Sequence, residues 1–260
     1  MRTFCSAIGL VLILWSGMSR AEDKAPTPLK VLLITGGCCH DYATQKDLLK
    51  TGIEARAHVV IEQVHSSDTT TKARFPIYEK ADWAKGFDAV IHDECSADVK
   101  DMPYVENILN AHKNGVPAVN LHCAMHSYRI GTEDWFQFVG IQSSRHGPRK
   151  PIDVIYIDRE HAITKGLENW TTIDEELYNN LKLFETAKPL SRGKQQVGDK
   201  LEDYVVTWTN QYGKGRVFST TLGHTNETVG DARYLDLVTR GLLWSCDKLN
   251  DQYLKTKQSR

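Results

Sequence analysis

Leu29-Lys30-Val31-Leu32-Leu33-Ile34-Thr35 is a nearly unbroken aliphatic run that stops at Gly36-Gly37. Such a run is the signature of a strand buried on both faces. Further strands are predicted over His58 to Val64, Phe87 to Ile91 and Pro117 to Leu121. Helical patterns lie between them, over Ala43 to about Arg56 and over Val99 to Asn114. Strand–helix alternation at this spacing predicts right-handed crossovers and a mostly parallel sheet.

The second half is less regular. Thr132 to Val139 predicts a short helix capped by Thr132, with Trp135 and Phe136 as core anchors. Ser144 to Arg149 reads as a basic loop, Ile152 to Ile157 as a strand, His161 to Leu167 as a turn into a short helix, and Asp174 to Tyr178 as an acidic loop. Pro189 to Gln211 suggests hairpins with Tyr204 to Trp208 as the apolar strand. Gly213 to Arg216 is a tight turn into the strand Val217 to Leu222. Asp231 caps a closing helix to about Ser245, with Leu235, Val238, Leu242 and Leu243 on its core face.

A chain of 260 residues suits one large α/β domain. Residues 1–21 read as an export signal: Arg2, an apolar stretch from Phe4 to Trp15, then the small-x-small site Ser19-Arg20-Ala21. The apolar stretch is shorter than the ~20 residues a membrane span needs. Residues 22–28 form a linker, 29–246 the domain and 247–260 a solvated tail, and the mature protein is expected outside the cytoplasm, periplasmic or extracellular. The 32 basic residues nearly balance the 33 acidic ones, which leaves no electrostatic footprint for nucleic acid or anionic lipid. Of six cysteines, Cys38, Cys39, Cys95, Cys123 and Cys246 follow the leader. That odd number at wide spacing is not a disulfide framework, although one disulfide among them is allowed.

Histidines recur where the predicted strands end. Strand one leads into His40-Asp41, strand three into His92-Asp93-Glu94, strand four into His122 and His126, and a late strand into Gly223-His224. In a parallel sheet these ends open on one edge, where ligands bind. Histidine and carboxylate together suit a divalent metal or acid–base work near neutral pH. His122-x-x-x-His126 would share one helix face if a helix began at the strand tip. Cys123 at that tip is a rival nucleophile, but Leu121 and Met125 occupy the positions where a nucleophile elbow wants glycine. Arg129, Arg145, His146 and Arg149 could contact a polyhydroxylated ligand, as could a carboxylate of Glu175-Glu176 beside Tyr178. Trp135, Trp170 and Trp208 could stack on a sugar, with core packing the expectation for at least two.

Six ordered motifs as a set resemble the ThuA-like (trehalose utilisation) family. They are Gly36-Gly37-x-x-His40-Asp41, Asn120-Leu121-His122-Cys123-Ala124 with His126-Ser127-Tyr128-Arg129, His146-Gly147-Pro148, His161-x-Ile163-Thr164-x-Gly166-Leu167, Asp174-Glu175-Glu176-Leu177-Tyr178, and Gly215 to His224. The resemblance implies a class I glutamine amidotransferase-like fold, a flavodoxin-like three-layer sandwich with a mostly parallel sheet. Those amidotransferases carry a cysteine nucleophile at the tip of the strand matching Pro117 to Leu121, and the match puts His122 there instead.

The resemblance also implies a small-molecule carbohydrate substrate, in particular sugars oxidised at C3, and a lyase or hydrolase. In that scheme His122 and His224 bind a divalent metal such as zinc, or the keto oxygen. His40, Asp41 and Glu176 support them or act as base, and His126, Tyr128, Arg129, His146 and Tyr178 bind substrate. The alternatives are a non-catalytic sugar-binding protein and a Cys123-dependent amidase.

Overall fold

The computed structural model describes residues 25–255, so the expected export signal lies outside the described residues. In chain order the elements are β1 (Leu29–Gly37), α1 (Tyr42–Glu54), β2 (Val59–Ser66), β3 (Ala89–Cys95), α2 (Met102–Lys113), β4 (Ala118–Leu121), α3 (Asp134–Val139), β5 (Ile141–Gln142) and β6 (His146–Lys150). There follow β7 (Asp153–Tyr156), β8 (Trp170–Thr171), β9 (Glu175–Tyr178), β10 (Lys182–Leu183), β11 (Lys188–Val197), β12 (Lys200–Tyr212), β13 (Gly215–Thr220), α4 (Asn226–Val229) and α5 (Ala232–Ser245).

Nine strands form one sheet in the order β2-β1-β3-β4-β13-β12-β11-β7-β8. The first five are parallel and the rest antiparallel. Alternation along β1 sets up two cores. Val31 and Leu33 pack with Leu49 and Ile53 of α1 and Leu237, Val238 and Leu242 of α5. Leu32 and Ile34 pack on the other face with Ile108 and Leu109 of α2 and Trp135 and Phe138 of α3. The result is the expected three-layer α/β sandwich, its chemistry-bearing strand ends on one edge. No helix among the described residues is long and apolar enough to cross a membrane.

Several local expectations are corrected. Glu175–Tyr178 is a fully buried strand rather than an acidic loop, paired antiparallel with β6, which was itself expected to be loop. Pairing satisfies the backbone that burial would otherwise orphan. Thr132 does not cap α3; Glu133 stands at the N-cap, and the Thr132 hydroxyl donates to Asp134 instead. The segment His161–Leu167 forms turns only. Residues 247–255, expected to be solvated tail, fold back on the edge of β2: His58 N donates to Tyr253 O at 2.8 Å and Lys255 N to Arg56 O at 2.8 Å.

Strand β3 runs four residues past its apolar run, because Ile34, Thr35 and Gly36 of β1 pair with His92, Asp93 and Glu94. His92 is therefore buried in the sheet rather than presented at its edge. Its Nε2 lies 2.9 Å from His112 Nε2, and its Nδ1 lies 2.9 Å from Glu94 Oε1 and 3.1 Å from the Tyr78 hydroxyl. His112 Nδ1 donates to Val116 O at 2.9 Å, so its Nε2 is an acceptor. Burial first, and then the neighbouring His92, lower its pKa to about 3.

Below its ordinary pKa of 6.5 the unfolded chain takes up a proton that folded His112 refuses until about pH 3. Stability is therefore expected to fall with pH across that window, by up to about 1.4 kcal/mol per pH unit for this histidine. Denaturant unfolding between pH 4 and 6 checks it: His112→Gln should flatten the slope by close to one proton.

Candidate histidine–glutamate site

Four strand-end segments build the site. After β1 the chain turns at Gly36-Gly37; Gly37 has φ +97°, and a Cβ there would lie 2.1 Å from Cys95 O, so only glycine fits. The turn delivers His40 to the start of α1. At the end of β4, His122 itself has φ +41°, a conformation rare for a side-chain-bearing residue and common at functional strand tips.

Neighbouring pairing of Leu121 with Thr220 brings His122 to Thr221, whose carbonyl accepts from Nδ1–H at 2.6 Å. His122 Nε2 is then the acceptor, and the Tyr178 hydroxyl reaches it at 3.3 Å. Burial keeps that hydroxyl protonated by pushing its pKa well up. His224 follows β13, held by its own backbone: its N–H and that of Gly223 donate to Glu175 Oε1 at 2.9 and 3.1 Å, and its carbonyl accepts from Gln45 at 3.0 Å. Burial pushes the Glu175 carboxyl upward, opposed by His122 and these hydrogen bonds.

Glu176 reaches in from β9. Its Oε2 lies 3.3 Å from His224 Nδ1 and 3.6 Å from His122 Nε2, while those two nitrogens are 3.3 Å apart. Burial alone would raise the Glu176 pKa, but His122 and His224 hold it well below the usual carboxylate range. His40 completes the group: ring centroids lie 4.7 Å from His122 and 4.8 Å from His224. Burial, then His122 and His224, lower its pKa to about 2, so its imidazole is neutral. Its Nδ1 is buried with no hydrogen-bond partner.

Ligating atoms of His40, His122 and His224 all lie within 4.8 Å of one another. Donors on a tetrahedral zinc at about 2.0–2.1 Å are about 3.3–3.4 Å apart, which the His122–His224–Glu176 triangle matches. His122 Nε2 and Glu176 Oε2 are both acceptors facing His224 Nδ1, so either the Nδ1 proton of His224 or a cation holds the three together. These four residues fit a divalent metal, and neutral imidazoles with an ionised carboxylate are the donor set it prefers.

Other expected site residues divide. His146 lies at the rim, side chain 44 % exposed, its Nδ1 2.9 Å from Gly147 O and 3.4 Å from Glu176 Oε1. His126 lies under the site: it stacks on Tyr178 at 4.2 Å and its Nε2 is 2.9 Å from Ser143 Oγ. Burial above all lowers its pKa to about 3. His122–His126 is a 3-10 turn, in which residues four apart diverge, so the shared helix face does not form. Arg129 is exposed, and its Nε donates to His126 O at 3.1 Å.

Two expectations fail. Asp41 is the exposed N-cap of α1, accepting from Thr44 N at 3.2 Å and Asn226 at 2.8 Å, which commits both its oxygens. Tyr128 is fully buried and its hydroxyl donates to Glu94 at 3.2 Å, away from the cluster. Trp135, Trp170 and Trp208 are all core. Glu175, Gln45 and Thr221 escaped as backbone clamps, and only the Glu175-Glu176 pair carried a signal. The cysteines also converge: Cys38 pairs with Cys39, Cys95 pairs with Cys123, and the Cys38 and Cys95 sulfurs are 3.5 Å apart.

Fold and site together define a flavodoxin-like α/β protein of the glutamine amidotransferase type, with a histidine–glutamate centre at its strand tips. The ThuA family model, described as trehalose utilisation, matches residues 30–245. The chain belongs to the ThuA family. Among solved structures, a ThuA-like protein from Parabacteroides merdae is similar at 20% identity, TM-score 0.66, over 84% of this chain and 90% of the other. One from Bacteroides uniformis follows at 16% identity, TM-score 0.63, over 86% and 94%. A β-galactosidase from Rahnella sp. R3 is similar over 86% of this chain but 32% of its own, at 13% identity and TM-score 0.54. At these identities the likeness is one of fold. No curated protein matches.

The metal-stripped protein is expected to bind one equivalent of Co²⁺ as a spectroscopic stand-in for zinc. His122→Ala and His224→Ala should each weaken it by more than ~100-fold, beyond the 10–100-fold typical of an outer-shell change. Unaltered binding in both variants would mean that a proton, not a metal, bridges the cluster.

Proposed function

We propose that the protein is an exported carbohydrate-active enzyme, a lyase or hydrolase acting on oxidised (3-keto) glycosides at the histidine–glutamate cluster. The carrying observation is the triangle of His122 Nε2, His224 Nδ1 and Glu176 Oε2 at 3.3–3.6 Å, at the strand tips beside a rim histidine. Carbohydrate is supported by the family's description. Hydrolysis of an intact acetal wants a carboxylic acid of raised pKa facing the leaving group. Glu175 has the raised pKa but spends its oxygen on the Gly223 and His224 N–H groups. Proton abstraction beside a ketone suits the remaining groups better.

A ketone at C3 acidifies the proton on C2. Glu176, with its pKa held so low, is a poor base and serves as a fixed negative charge. His40 is likewise too weakly basic. His146 donates through Nδ1 to Gly147 O, which leaves Nε2 free at the rim to take the C2 proton. A divalent cation held by His40, His122, His224 and Glu176 would stabilise the enolate oxygen as a Lewis acid. The enolate pair then forms the C1–C2 double bond as the ketone returns and the C1–O bond to the aglycone breaks. The aglycone oxygen leaves with the proton that His146 took from C2, and addition of water across C1–C2 gives net hydrolysis.

Turnover of a 3-keto-glucoside with a nitrophenol leaving group tests this reading. His146→Ala is expected to lose ~10²–10⁴-fold in kcat, the usual worth of a general base, and His122→Ala at least as much. Cys123→Ser should keep its activity, because that sulfur is buried and paired with Cys95. Full turnover by His122→Ala would remove the site, and loss in Cys123→Ser would restore the amidase alternative.

A further inference from the structure

A hollow of about 360 Å³ opens beside His146, between β6 and the β11–β12 hairpin. Its size falls within the ~300–1,000 Å³ of small-molecule sites. We propose that it is a sugar subsite, holding the second ring of a disaccharide whose oxidised ring sits at the histidine cluster. The placement of that first ring rests on the reading above; the subsite itself stands on its own observations.

Gln195 forms part of the pocket wall and is 1 % exposed. Its Nε2 donates to Lys150 O at 3.1 Å and Glu175 O at 3.3 Å. Two carbonyl partners fix which end of the amide is nitrogen. Oε1 is left buried with no partner, a costly state unless something donates to it. Gly147 stands directly against this oxygen: a Cβ there would lie 2.7 Å from it, and the doubly anchored amide could not move away. Glycine at 147 thus leaves this buried acceptor uncrowded in the wall of the hollow.

An orphan acceptor calls for a ligand that donates, and hydroxyl is the donor that also suits the other walls. The half-buried Tyr204 offers a ring face above the Leu177 side chain at the floor, while Arg145 and Glu202 offer polar groups to the edge of a ligand. An apolar face bordered by hydroxyls is the chemistry of a pyranose. His146 lines this hollow and also leans on Glu176 at 3.4 Å, so the two sites share one residue as a common wall. A glycosidic oxygen bridging them would pass beside His146.

Calorimetric titration with unoxidised trehalose and with methyl α-glucoside tests the subsite without catalysis. The wild-type protein is expected to bind the disaccharide about 10-fold more tightly, the worth of roughly one good hydrogen bond with its packing. Gln195→Leu and Tyr204→Ala should each erase most of that advantage and leave methyl α-glucoside unchanged. Tyr204→Ala lies at the half-buried rim, so it keeps the test valid if the core change at 195 unfolds the chain. Equal affinity for both sugars, no binding of either, or a disaccharide preference that survives both variants overturns the proposal. If 3-keto-glucosides are not turned over but the preference and its loss are seen, the catalytic reading fails and the subsite stands.

Discussion

The hydrogen bond from His122 Nδ1–H to Thr221 O, at 2.6 Å, is the contact on which the site depends. It exists because β4 and β13 run parallel and in register, so that the residues just past their last pair meet. It fixes the tautomer of His122 and aims the lone pair of Nε2 at His224 and Glu176. The positive φ of His122 is the backbone cost of that aim, and the buried strands on both sides hold it in place.

Much of the parallel half was legible from sequence because its central strands carry apolar runs separated by helical patterns. The histidines that follow β1, β4 and β13 could be placed on one edge for the same reason. Glu176 and Tyr178 were harder. Asp174-Glu175-Glu176 looks like a solvated loop by composition, and nothing local reveals that β6 pairs with it and buries it. Asp41 and His40 are adjacent in sequence yet divide between helix cap and site, since one faces the α1 N-terminus and the other the cluster. Tyr128 shows the limit of motif reasoning: it follows the strand tip closely in sequence, but its left-handed backbone turns it down to Glu94 in the core.

The domain carries two histidine groups, one packed between the sheet and α2 and one at the strand ends. His92 and His112 lie within the packed layers with Glu94, Tyr78 and Tyr128, and every contact between them is internal. Such a network specifies one packing of the core. His40, His122 and His224 stand one or more residues past the last ladder pair, where His40 and His224 are part-exposed and His122 is buried beneath them. For the histidines that follow or end a strand, distance from the end of pairing, rather than sequence neighbours, separates His92 from His40, His122 and His224.

Glu176 comes from the small β6–β9 ribbon, whereas the three histidines come from the parallel half. The centre therefore straddles a seam between the regularly wound part of the domain and its antiparallel extension. No contiguous stretch of chain contains it, and positions 40, 122, 176 and 224 meet only when contacts of very long sequence separation have formed. Such contacts close late, after local helices and neighbouring strands. Assembly of the chemistry and completion of the fold are thus the same event for this chain, and a fragment or a partly folded form would have all the helices it needs but no reactive centre.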